Sequence, residues 1–172
     1  PPGARALLAA YPRHLAGYEA GRLVWVDGTR TPYDDGREPA TLAQRLARPD
    51  PADQMAIAYP PGPLDRAPAP GEDPGRARCP ALFEGMYGDS EARVRERLTA
   101  VRWVRRAGRP ARRVRVTRVN GVAEALAAVV AELEALPAPV RAVAARLQGG
   151  FAWRRVRGAD RMSAHAYGIA VD

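Results

Sequence analysis

The chain has 172 residues, 47% hydrophobic and 27% charged, the balance of an ordinary folded protein. It carries 27 basic against 19 acidic residues, a formal net charge of +8, and every basic residue is arginine. No apolar run approaches the ~20 residues that a membrane-spanning helix needs, the single Cys79 excludes an intrachain disulfide, and the positive surplus favours polyanions such as nucleic acid, anionic lipid or acidic wall polymers without choosing among them.

In chain order, PPGARALLAAYP holds a short apolar piece without a full signal-peptide pattern, and residues 4–10 predict a short helix running into Tyr11-Pro12. RLVWVDGT predicts a strand over Leu23 to Val26 that ends at an Asp27-Gly28 turn, and TPYDDGREP predicts a loop. Residues 40–48 predict a short helix with Leu42 and Leu46 on one face. Asp50 is placed to cap a further helix with Pro51 at its first position. Pro60 to Pro80 is rich in Pro, Gly and Asp and predicts a long irregular connection within one domain. Cys79 precedes a proline and suits a packed thiol better than a nucleophile, since only two histidines exist to activate it.

SEARVRERLTAV predicts a helix capped by Ser90, with Val94, Leu98 and Val101 at helical spacing. VRWV and RRVRVT predict strands; in the second, Val114 and Val116 alternate with Arg113 and Arg115, so one face is expected buried and the other wet. NGVAEALAAVVAELEALP is the clearest helix, with Val122, Leu126, Val129, Val130 and Leu133 as its apolar stripe. A short helix follows over about 138 to 147 and ends at Gly149-Gly150, and FAWRRV predicts a strand. Helices and strands mix without a repeating βα rhythm, which predicts the α+β class.

The last residues, RMSAHAYGIAVD, contain S-x-H-x-x-G-x-A-x-D at Ser163, His165, Gly168, Ala170 and Asp172. An imidazole nitrogen and a carboxylate oxygen are both good zinc ligands, and a catalytic zinc keeps three protein ligands with one open position. Gly168 lets the chain turn between the two ligands, and an extended GIAVD segment would put Gly168, Ala170 and Asp172 on one face. A lone His near a lone Asp is more often an ordinary surface or core pair. All five positions together arise by chance on the order of once in ten thousand chains of this length.

At these residues the sequence resembles the zinc D-alanyl-D-alanine carboxypeptidases and L-alanyl-D-glutamate endopeptidases of bacterial cell walls, which include vancomycin-resistance carboxypeptidases and dipeptidases and several phage endolysins. GGFAWRRVRGADRMSAHAYGIAVD is similar to that family's stretch from a Gly-Gly-aromatic entry, through an arginine, to the metal ligands. LVWVDGTRTPYDDG, DPGRARCPALFEGMYG and VTRVNGVAEAL resemble upstream segments of a bacterial subgroup described as D-alanyl-D-alanine carboxypeptidase-like. The resemblance implies a small antiparallel sheet with flanking helices, one metallopeptidase-like domain over 1–172, and a zinc-dependent hydrolase of peptidoglycan stem peptides in the periplasm, cell envelope or secreted space. It implies His165 and Asp172 as metal ligands and Ser163 as a hydrogen-bonding neighbour of the substrate site. It implies Arg154 as the group that meets the substrate carbonyl or developing oxyanion, with Arg155, Arg157 and Arg161 as competitors. Each arginine taken alone equally suits a solvated basic face.

The family also requires a third ligand, a histidine, and a general-base carboxylate downstream of the motif, so the resemblance implies a domain incomplete at its C-terminal side. The other histidine, His14, sits in YPRHLAGY without ligand-like neighbours. Two further functions stay open. One is a non-catalytic cell-wall-binding or regulatory module that keeps the scaffold. The other is nucleic-acid binding through Arg102 to Arg118, against which stand the strand-like interleaving of Arg with Val and the absence of a recognised nucleic-acid motif. Exo- or endo-action and D,D or L,D stereochemistry are not specified by these residues.

Overall fold

The computed structural model describes residues 1–39, 41–57, 66–67, 69–70, 72, 75–106, 108–146 and 149–172. About half of the Pro-rich connection from 60 to 80, and residue 147 at the expected end of a helix, lie outside the described residues. The chain is α+β and divides into two compact units, Pro1–Met86 and Tyr87–Asp172, each with its own antiparallel sheet.

The first unit opens with α1 (Pro2–Ala10), which buries Ala4 and Leu7, and continues into a three-stranded meander: β1 (Leu15–Glu19), β2 (Arg22–Trp25) and β3 (Arg30–Pro32). β1 was not foreseen, because LAGYE has little β-branched or aromatic content. The Ala20-Gly21 link explains it: both residues have positive φ, 45° and 77°, the left-handed pair that closes a tight hairpin. At the next turn Asp27 Oδ1 accepts from the main chain and hydroxyl of Thr29, and β3 takes up Thr31 and Pro32 of the expected loop.

Two short helices follow, α2 (Leu42–Ala47) and α3 (Pro51–Met55). Each is closed by a reciprocal capping box, Thr41 with Gln44 and Asp50 with Asp53. α4 (Pro80–Tyr87) begins where the expected irregular connection ends and occupies a stretch to which the sequence patterns assign no element. Its interior Gly85 disguises it in the sequence, yet a Cβ there would stand 2.6 Å from Trp25 Cζ3, so the helix needs that glycine to lie against the indole.

In the second unit α5 (Glu91–Glu96) is capped by Ser90 as expected but is shorter than the apolar spacing suggested. Leu98 and Val101 belong instead to β4 (Leu98–Arg102), which pairs antiparallel with β5 (Arg113–Thr117). Strand pairing overrides the helical period there, because Val101 lies directly opposite Val114 and both are buried. β5 is as predicted: Val114 and Val116 are buried, Arg113 and Arg115 exposed.

α6 (Val122–Ala135) covers the buried face of this sheet with Ala123, Val130 and, in part, Leu126 and Leu133. Val129 falls outside that stripe and is exposed. α7 (Ala138–Ala144) completes the layer, and Trp103 Nε1 donates to the Ala144 carbonyl at 2.9 Å. FAWRRV forms no full strand. It makes one bridge, Arg155 with Met162, in an antiparallel excursion that returns the chain to Ser163. Among the described residues no helix is long and apolar enough to cross a membrane.

Burial holds the Cys79 thiol above its ordinary range, and burial does the same to the Tyr33 hydroxyl. The fold therefore favours both neutral forms. Their contribution is complete below the pKa each has in the unfolded chain and is lost as pH rises through the higher folded value. The denaturant midpoint should fall as pH goes from about 8 to about 10.5, and Cys79→Ala should flatten the early part of that fall. An identical pH profile for the variant would contradict this account.

Candidate metal centre

The site is built on the free edge of β5. Main-chain groups of Val114 and Val116 are left for β4, because Arg115 and Thr117 are engaged on the other side: Phe151 N donates to the Arg115 carbonyl at 3.0 Å, and Thr117 N donates to the Gly168 carbonyl at 2.9 Å. The segment from Gly149 to Ala152 thus lies along the sheet edge as a strap. Gly150 is tight against the strand, since a Cβ would run into Val114 Cγ2 and come within 3.0 Å of the Arg115 carbonyl.

The other side of the strap holds the two expected ligands. His165 Nδ1 lies 2.8 Å from the Gly150 carbonyl. A carbonyl can only accept, so Nδ1 carries a proton and donates it. Ala152 N donates to the His165 carbonyl at 3.2 Å, and Asp172 N donates to the Gly149 carbonyl at 3.2 Å. Three main-chain groups of one short segment therefore position imidazole and carboxylate together. His165 Nε2 and Asp172 Oδ2 stand 3.1 Å apart, with the imidazole 10% and the carboxylate 58% exposed.

This pair is suited to a cation between its atoms. With Nδ1 as donor, an unprotonated Nε2 turns its lone pair toward a carboxylate oxygen, and that arrangement needs a proton or a metal ion. An ion at zinc distances from both atoms, about 2.0–2.2 Å, would subtend an angle of about 90–102° across a 3.1 Å gap, within reach of distorted tetrahedral geometry. The Gly150 carbonyl is the kind of outer partner that metal-ligating histidines use to fix their tautomer. Two protein ligands fit a shared ion; among the described residues no third His, Cys or carboxylate joins them.

Ser163 is buried and caps the 3-10 turn Ala164–Tyr167, its Oγ accepting from His165 N at 3.4 Å, so its visible role is to present His165. Its own N–H donates to the Arg154 carbonyl at 3.0 Å. The Arg154 side chain is exposed and makes no ion pair among the described residues. Arg155 is instead paired with Asp160. Arg157 is exposed and Arg161 half-buried. Gly168 is not extended: its φ of 69° closes the turn, which aims the chain back toward the strap by a bend rather than by a shared strand face.

His14 lies in the turn before β1, where its carbonyl accepts from Val26 N. The sequence reasoning passed over a second acidic group, Asp34, Asp35 and Asp50 in the first unit. Its oxygens are already engaged: Asp50 accepts from Asp53 N and Asp35 N, Asp35 binds Arg37, and Asp34 accepts from Gly36 N. That is local turn and cap chemistry.

Gly168 allows a direct test of this construction. A Cβ there would stand 2.6 Å from Leu98 Cδ2 and 2.9 Å from Thr117 N, at a φ that side chains resist. Gly168→Ala should cost about 2 kcal/mol or more in urea unfolding; a loss below about 0.5 kcal/mol, the range of an unremarkable surface change, would contradict the close packing of the motif on β5. Compared with protein-family models, curated proteins and solved structures, the chain matches none of them.

Proposed function

We propose that the second unit carries the zinc site of a peptidase that cleaves peptidoglycan stem peptides, of the D-alanyl-D-alanine carboxypeptidase or related endopeptidase type, with the fold of that family and a place of action in the cell envelope or outside it. One observation carries the proposal: within the five-position motif, His165 Nε2 and Asp172 Oδ2 converge to 3.1 Å while Nδ1 is tied to a main-chain carbonyl. Zinc bound there would supply Lewis acidity toward a scissile carbonyl and toward water.

The chain's own residues divide the remaining work. His165 and Asp172 hold the ion, and the Gly150 carbonyl keeps the ring in the tautomer that leaves Nε2 free to ligate. Ser163 caps the turn that presents His165. Arg154, exposed and without a carboxylate partner among the described residues, can meet negative charge that develops on the substrate carbonyl oxygen. The reading still requires a third ligand and a general-base carboxylate from residues other than those described around the site.

That requirement favours a second reading, a non-catalytic wall-binding or regulatory module on the same scaffold, because among the described residues the pair stands without a third ligand. The two readings part on one experiment. The peptidase should bind about one zinc per chain, with His165→Ala reducing this to near zero and abolishing cleavage of purified muropeptides, while Arg154→Ala keeps the metal and loses turnover. Unchanged zinc content in His165→Ala would sink the site. Zinc binding without muropeptide cleavage in the native full-length protein would select the module.

A further inference from the structure

The exposed face of the β4–β5 sheet has an unusual charge pattern. Residues 97–123 contain nine arginines and no Asp or Glu. The register places Arg102 directly opposite Arg113, both exposed, and Arg115 follows two residues later on the same face opposite Ala100. Like charges facing across a strand pair are destabilising. No carboxylate pairs with Arg102, Arg113 or Arg115 among the described residues. Arg105, Arg106 and Arg109, all exposed, extend the positive field into the connection between the strands. Among the described residues no carboxylate offsets Arg102, Arg113 and Arg115, so counter-charge for these three is left to come from outside.

We infer that the outer face of β4 and β5 binds a linear phosphodiester polymer without bases, of the polyol-phosphate kind. Opposed residues of an antiparallel pair have Cα atoms about 5 Å apart, so the two guanidiniums of Arg102 and Arg113 can take separate oxygens of one phosphate. A planar carboxylate is satisfied by a single guanidinium fork. Along the strand, same-face side chains recur about every 6.8 Å, which carries the contact from Arg113 to Arg115. The basic residues of this face, as of the whole chain, are all Arg, the residue suited to such forked contacts.

Two features turn the face away from nucleic acid. Binding of single strands relies on aromatic platforms for the bases, and Phe151, an aromatic against Arg115, already has the Arg95 and Arg115 guanidiniums 5.0 and 5.4 Å from its ring centre. A β-ribbon that enters a duplex groove has to project. This one is tied down, with Arg105 N donating to Glu134 Oε1 at 2.8 Å and Trp103 Nε1 held by the Ala144 carbonyl. The inference goes beyond the peptidase reading and does not need the metal.

The test is fluorescence anisotropy of a labelled poly(glycerol phosphate) chain with the metal-free protein. Binding at 50 mM salt should weaken by about tenfold or more at 200 mM, as phosphate contacts do. Arg102→Glu should lower affinity by about tenfold or more at 50 mM salt, and it should raise the thermal midpoint, because a Glu facing Arg113 turns repulsion into attraction. Arg102→Gln, which removes the charge without reversing it, should weaken binding less and leave the fold at least as stable. Unchanged affinity in both variants, or a lowered midpoint in both, would overturn the proposal, the latter because it would give the arginine a structural duty. Equal or tighter binding of single-stranded or duplex DNA with the same number of phosphates would assign the face to nucleic acid instead. Zinc content and muropeptide cleavage of Arg102→Glu should match the wild type, so this outcome and that of the peptidase reading are scored separately.

Discussion

A carbonyl oxygen cannot donate a hydrogen bond, and from that constraint the rest of the candidate site follows. Because Gly150 O accepts from His165 Nδ1, the proton position on the ring is decided, and Nε2 is left as the atom that meets Asp172. Without this tie a histidine and an aspartate separated by a tight turn could pair in many ways, and most would place a donor rather than a lone pair between them. The motif therefore acquires chemical direction from a residue that carries no side chain.

The position of Gly150 is in turn a property of the sheet. β5 uses one edge for β4 and the other for Phe151 N and the Gly168 carbonyl. An open edge of this kind invites pairing with other chains, and here the strap and the turn after His165 occupy it. The buried face of the same strand packs Val114 and Val116 under α6. One five-residue strand thus joins the hydrophobic core, the strap that positions His165 and Asp172, and the exposed arginine row. A disturbance of its register would move all three, since a shift of one residue exchanges the faces.

The parts legible in the sequence were those in which a local pattern and the long-range packing agree. The Val/Arg alternation of β5, the apolar stripe of α6 and the caps at Asp50 and Ser90 are short-range signals, and the tertiary structure reinforces each of them. α4 was hidden by Gly85, whose absent side chain answers to Trp25 far away in the chain. Leu98 and Val101 fitted a helix until β5 supplied partners for them. At the site, the spacing of His165 and Asp172 could be recognised as ligand-like, whereas the Gly150 carbonyl could not. Nothing in a glycine announces which way its carbonyl will point; here the missing Cβ lets Gly150 lie close against Val114 while its carbonyl meets His165.

The unequal exposure of the His165 and Asp172 side chains bears on how the pair can be reached. The imidazole is anchored on its far nitrogen and almost closed off, while the carboxylate stands in water at the rim. If the proposed ion is held there, Asp172 is the side of the pair open to water and His165 the side closed off. Access to the pair would then depend on one solvated carboxylate, with no opening of the core.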